Sequence, residues 1–91
     1  VNNFKEIEMG TFIIKGTAVA GTLTNNSIGN SPFVRVVATA GTNTITVKDG
    51  ATTLGTTLLH SAGDEITIEK HPKHTISSSA AVSATAVGVG H

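Results

Sequence analysis

The chain has 91 residues and a mass of 9.2 kDa, which is room for one small domain. Six Lys and Arg balance six Asp and Glu, so the net charge is zero, whereas a nucleic-acid module needs a cationic excess to neutralise phosphates. There is no Cys, Trp or Tyr, which excludes disulfides, zinc thiolates and thiol nucleophiles and leaves three Phe for stacking on bases or sugar rings.

Fifteen Thr, nine Val and eight Ile make the chain rich in β-branched side chains, which pack well on a pleated surface and lose rotamer freedom in helices. Residues 1–10 (VNNFKEIEMG) differ from the rest and hold no apolar run of the kind a signal peptide has; they read as an N-terminal arm or a first strand. Phe4, Ile7 and Met9 are the side chains with which such an arm would anchor on a neighbouring subunit. Residues 11–15 (TFIIK) form a short strand with Phe12 and Ile14 on one face. Residues 17–23 follow, with Val19 and Leu23 on one side and Ala18 and Ala20 on the other. Gly16 between these runs is placed to bend one long strand across two sheets. Residues 24–32 (TNNSIGNSP) are the longest turn-rich stretch and a candidate binding or interface loop through Asn25, Asn26 and Asn30.

Residues 33–39 (FVRVVAT) read as a strand buried on both faces apart from Arg35. Residues 44–48 alternate, with Ile45 and Val47 inward and Thr44, Thr46 and Lys48 outward. Asp49-Gly50 then signals a hairpin into residues 52–59 (TTLGTTLL), where Gly55 suggests a bulge or a close backbone approach. Residues 60–63 turn the chain into residues 64–70, with Ile66 and Ile68 inward and Glu65, Thr67 and Glu69 outward. Residues 71–74 turn it again, 75–77 start a short strand, and 82–89 (VSATAVGV) close the fold with small side chains. No helix of useful length is expected, and no stretch approaches the ~18 apolar residues of a membrane span. The pattern is all-β: a small antiparallel β-sandwich or jelly-roll-like domain of about seven to eight strands over residues 11–91.

No catalytic constellation emerges. His60, His71, His74 and His91 are the first candidates for a metal site, which Asp64 and Glu69 would complete on paper, but Lys70 and Lys73 lie in the same segment and repel a cation, so exposed turn histidines fit better. No Ser sits in a G-x-S-x-G elbow, only Asp49 and Asp64 are available as aspartates and Asp49 is taken up by a hairpin turn, and no Gly cluster opens a helix as a phosphate loop does. Asn25-Asn26-Ser27 matches a glycosylation triplet of the kind that arises by chance in Asn- and Ser-rich loops. The expectation is a non-enzyme without cofactor or metal. Only 13% of residues are charged, against roughly a quarter in an ordinary soluble domain, so the outward strand faces must be coated by Thr, Ser and Ala. Such a surface points to burial against partners.

Residues 43–70 (NTITVKDGATTLGTTLLHSAGDEITIEK), followed by HTIS and VSATAVG, resemble the small all-β virion proteins of tailed bacteriophages, especially cyanophages. The shared features are the VKDG turn, the strand containing LGT, the AGDEITIEK return and a final strand of small residues. The resemblance covers the C-terminal half and brings no catalytic or ligand-binding residue with it. It implies a structural virion protein, foremost a capsid decoration or cement protein on the outer capsid surface. Its partners would be the major capsid protein and further copies of itself, with a trimer favoured, and no nucleic acid or membrane. A minor tail, neck or fibre-associated protein, or a receptor- or glycan-binding β module, is the alternative.

Overall fold

Alternation of β-branched residues with turn residues yields eight strands in the computed structural model, which describes residues 12–89. They are β1 (Phe12–Ile14), β2 (Val19–Thr22), β3 (Phe33–Ala38), β4 (Asn43–Asp49), β5 (Thr52–Leu59), β6 (Glu65–Glu69), β7 (Thr75–Ser78) and β8 (Ala81–Val89), with no helix among the described residues. The strands make two antiparallel sheets that face each other as a small β-sandwich. One sheet runs β1-β8-β3-β6, with β2 also on β8, and the other runs β5-β4-β7. Residues 1–10, with Phe4, Ile7 and Met9, lie outside the described residues.

The core is where the inward rows of the two sheets meet. Val34, Val36 and Ala38 of β3 and Val82 and Ala84 of β8 pack against Ile45 of β4, Leu59 of β5 and Ile76 of β7, with Leu23 and Ile28 closing the side. Val19, Val47, Ile66 and Ile68 pack around this cluster as expected from their alternation. In β3 only one face is fully buried: Phe33 and Val37 flank Arg35 on the outward row and are half-buried. β8 lies between β3 and the β1/β2 edge, so the strand of smallest side chains is central in its sheet. Ala84 and Ala86 there stand beside Val36 and Val34, and small side chains under larger ones let the two layers interdigitate.

Gly16 does not carry the chain between sheets. β1 and β2 both pair with β8 along one edge; Lys15 N still donates to Ala86 O at 2.8 Å, and the register then slips by two residues before Val19 meets Ala84. Residues 16–18 are therefore a bulge in one interrupted edge strand. The crossing comes later, at Leu23, whose carbonyl accepts from the β7 amide of Ser78 at 3.0 Å. Asn26 then pairs with Ile76, donating to its carbonyl at 3.0 Å and accepting from its amide at 2.8 Å. The turn-rich stretch thus begins as an irregular fourth strand on β7.

The hairpin after Val47-Lys48 forms as expected, closing with Asp49 opposite Thr52. Gly50 takes φ 60° and Ala51 is not in the positive-φ region, the pattern of a type II′ turn. The register shifts between Val47–Gly55 and Lys48–Thr53, so Leu54 is the extra residue of a bulge beside Gly55. The connections at residues 60–64 and 70–74 are bridges between sheets. In the first, Asp64 Oδ2 accepts from the amides of His60 and Ser61, both at 3.0 Å, and Gly63 N reaches Ala38 O at 2.8 Å. In the second, the Lys70 side chain folds back on its own turn, with Nζ donating to Pro72 O at 3.0 Å and, more weakly, to His71 O at 3.4 Å.

Candidate functional site

Asn25 and Asn30 adopt φ values of 47° and 55°, conformations that Asn tolerates better than most side chains. Asn26 Oδ1 accepts from Ile28 N at 2.8 Å and turns the chain so that Ile28 plugs the core. Asn25 is tied to β7, its amide donating to Ser77 Oγ at 3.0 Å. Asn25 and Asn26 therefore have local structural tasks at the β7 edge, while Asn30 stands apart at the rim of a depression.

That depression has a volume of about 440 Å³ and is lined by Lys15, residues 29–33 and residues 86–88. Its floor is apolar, with Phe33 and the buried Val87, and Asn30, Ser31 and Lys15 supply polar groups at its margin. Ser31 Oγ is already engaged, donating to Phe33 O at 2.7 Å. The Lys15 stem lies over Gly88, where a Cβ would come within 2.7 Å of Lys15 Cε.

The histidines do not converge. His60 and His71 are exposed, and His71 Nδ1 accepts from Lys73 N at 3.3 Å. The rings of His71 and His74 are 5.1 Å apart, and His74 Nε2 stands 3.8 Å from Asp49 Oδ2. Among the described residues no group of three or more His, Asp or Glu is placed to hold a metal ion; His91 lies outside them.

The most distinctive surface is the outside of the three-stranded sheet. Residues paired across antiparallel strands share a face, so Thr44, Thr46 and Lys48 of β4, Thr53, Thr56 and Leu58 of β5, and Thr75 and Ser77 of β7 form one outward array. It holds one charge, Lys48, among hydroxyls and methyls. β5 borders this array and is exposed over nearly its whole length, Leu54 at 52% and Leu58 at 45%. Ile13 and Ile14 of β1 are also exposed, at 49% and 75%. The opposite sheet is dressed differently: Arg35 donates to Glu65 through Nε at 3.2 Å and Nη2 at 2.7 Å, and Glu69 lies on the same outward face.

Period and propensity marked neither Leu54, Leu58 nor Ile13 as a surface residue, and they placed Ile14 on a strand face without showing that it is exposed. The available signal was a strand, residues 52–59, with apolar residues at 54, 58 and 59 and no charge to mark its solvent side. A scan against protein-family models, a search of curated proteins and a search of solved structures each found no match.

Proposed function

We propose that the chain is a structural virion protein that works through contact area, most specifically a capsid decoration or cement protein on the outer shell. The observation that carries this reading is the outward array of Thr44, Thr46, Thr53 and Thr56, with Leu58 and the one charge of Lys48, continuing into the exposed leucines of β5. The threonines of β4 and β5 offer hydroxyls for hydrogen bonds to a neighbouring backbone, and their methyl groups lose little when water is expelled. A face with one cation also desolvates at little electrostatic cost. A monomer gains nothing from such a coat, whereas a protein laid on a capsid lattice buries it. Standard interfaces bury about 1,600 Å² in total, and repetition over the shell turns modest single contacts into durable attachment. The partner in this reading is the major capsid protein, with further copies of this chain beside it.

The test is the copy number and position of the chain in purified particles of the phage that encodes it, by quantitative mass spectrometry and cryo-electron microscopy. Hundreds of copies on the outer shell support the proposal; absence, or a few copies at the neck or tail, overturns it. A second reading, a receptor- or glycan-binding module, is favoured by the depression at Lys15, Asn30 and Phe33, where one aromatic ring meets polar groups. Binding of a defined glycan on an array, lost in Phe33→Ala, would support it.

A further inference from the structure

Exposed strand edges are templates for pairing, and proteins guard them with charge, proline, bulges or a covering segment. On β6 the guard is charge, with Glu65 and Glu69 at its ends. On β1/β2 it is the bulge at residues 16–18 and Lys15. On β7 it is the chain itself, through the Asn26–Ile76 bridge. β5 has no strand beyond it among the described residues, and its eight residues include no charge and no proline. Its bulge at Leu54 lies toward the hairpin end and leaves residues 55–59 in regular register with β4.

The backbone of this edge is offered outward at defined positions. Ser79 N donates to Thr44 O at 3.0 Å, so Thr44, and by alternation Thr46, turn their peptide groups toward β7. Their partners on β5, Leu58 and Thr56, are then the non-hydrogen-bonded residues of the β4–β5 ladder, with N–H and C=O pointing away from the sheet. Leu54 and Leu58 lie symmetrically about Thr56, two residues to either side.

We propose that β5 is a self-pairing edge, through which two copies of this chain join antiparallel about a two-fold axis at Thr56. In that register each Thr56 exchanges both backbone hydrogen bonds with its counterpart, and Leu54 of each copy stands opposite Leu58 of the other. Exposed leucines then cover one another, with no like charges brought together. Slipping the register by two residues, to an axis at Thr57, sets Leu58 opposite Thr56 and leaves Leu54 facing His60, so the leucines select the Thr56 axis. An isologous contact of this kind needs no second surface and joins copies in pairs, which differs from the three-fold assembly implied by the virion resemblance and does not depend on that resemblance. The paired segment is one short strand beside a standard interface of about 1,600 Å², so the isolated protein dimerises reversibly and its dimer dissociates on dilution.

The experiment is sedimentation of the full chain over a wide concentration series, with three variants. Thr56→Lys sets two ammonium groups face to face at the axis and should weaken dimerisation by roughly tenfold or more, with far-UV circular dichroism and thermal unfolding reporting that the fold is kept. Thr56→Cys places thiols across a hydrogen-bonded pair, where Cα atoms lie about 5.5 Å apart and a disulfide fits. The chain has no other cysteine, so mild oxidation should cross-link this variant roughly tenfold faster than Thr44→Cys, which sits on the same outward face one strand in from the edge. A chain that stays monomeric throughout, a dimer unaffected by Thr56→Lys, or equal cross-linking of the two cysteine variants each overturns the proposal. So does a dimer abolished by deleting residues 1–10 but kept in Thr56→Lys, which would make the arm the occupant of the edge. The cross-linking comparison stands even if Thr56→Lys fails to fold.

Discussion

Leu23 and Ser78 hold the two sheets together by a reciprocal pair of hydrogen bonds: Leu23 N donates to Ser78 Oγ at 2.8 Å, and Ser78 N donates to Leu23 O at 3.0 Å. Ser78 Oγ in turn donates a hydrogen bond to Ala80 O at 2.8 Å. One hydroxyl therefore serves both the point where the edge strand leaves the first sheet and the turn from β7 into β8.

Ser78→Ala should leave the buried Leu23 amide without its acceptor and destabilise the fold by about 1–3 kcal/mol. Ser77→Ala, which removes bonds to the amide and the side-chain Oδ1 of exposed Asn25, should cost less, since water replaces the lost partner. Urea denaturation of both variants measures the difference, and equal losses would deny Ser78 its special place.

Asn43 is fully buried at the start of β4; its Nδ2 donates to Ala81 O at 3.0 Å and its Oδ1 accepts from Ala80 N at 3.1 Å. Asn43→Ala should cost about 2–3 kcal/mol, because two backbone groups lose their partners where water has poor access. Asn43→Asp keeps the acceptor but replaces the donor with a buried charge, and should be at least as damaging at neutral pH. Denaturant midpoints of the two variants test the order.

Gly50 takes φ 60° at the tip of the β4–β5 hairpin. A Cβ there meets no neighbour within 4 Å, so Gly50→Ala is opposed by backbone conformation alone, at about 1–2 kcal/mol. Gly50→Asn should recover part of that loss, since Asn tolerates this region better. Thermal unfolding of the pair separates conformational strain from crowding, which would penalise the larger Asn more.

Burial desolvates the Lys70 ammonium and lowers its pKa from the usual 10.5. The folded protein then holds this proton less tightly than the unfolded chain, so the group is unfavourable to folding at low pH. That penalty is relieved as pH rises through the window between the lowered value and 10.5. Subtracting the urea-denaturation stability of Lys70→Met from that of the native sequence should give a curve that is flat at neutral pH and climbs across this window. A flat difference throughout would mean that the ammonium is as well solvated as in the unfolded chain.

Local chemistry made all eight strands legible from sequence. Period-two runs such as Thr44–Lys48 and residues 64–70 name their own inward rows, and Asp49-Gly50 and Gly55 mark a hairpin and a bulge by backbone preference alone. Three features depend on which distant strands meet: the crossing at Leu23 rather than Gly16, the central place of β8, and the half-burial of Phe33 and Val37. The same holds for the surface features of the fold. Leu54 and Leu58 have the composition of core residues, and only the position of β5 at the end of its sheet leaves them exposed. The depression at Asn30 likewise needs residues 29–33 brought against residues 86–88. Strand formation is governed by neighbours a few residues away along the chain, whereas exposure is governed by long-range pairing, which period and propensity do not encode.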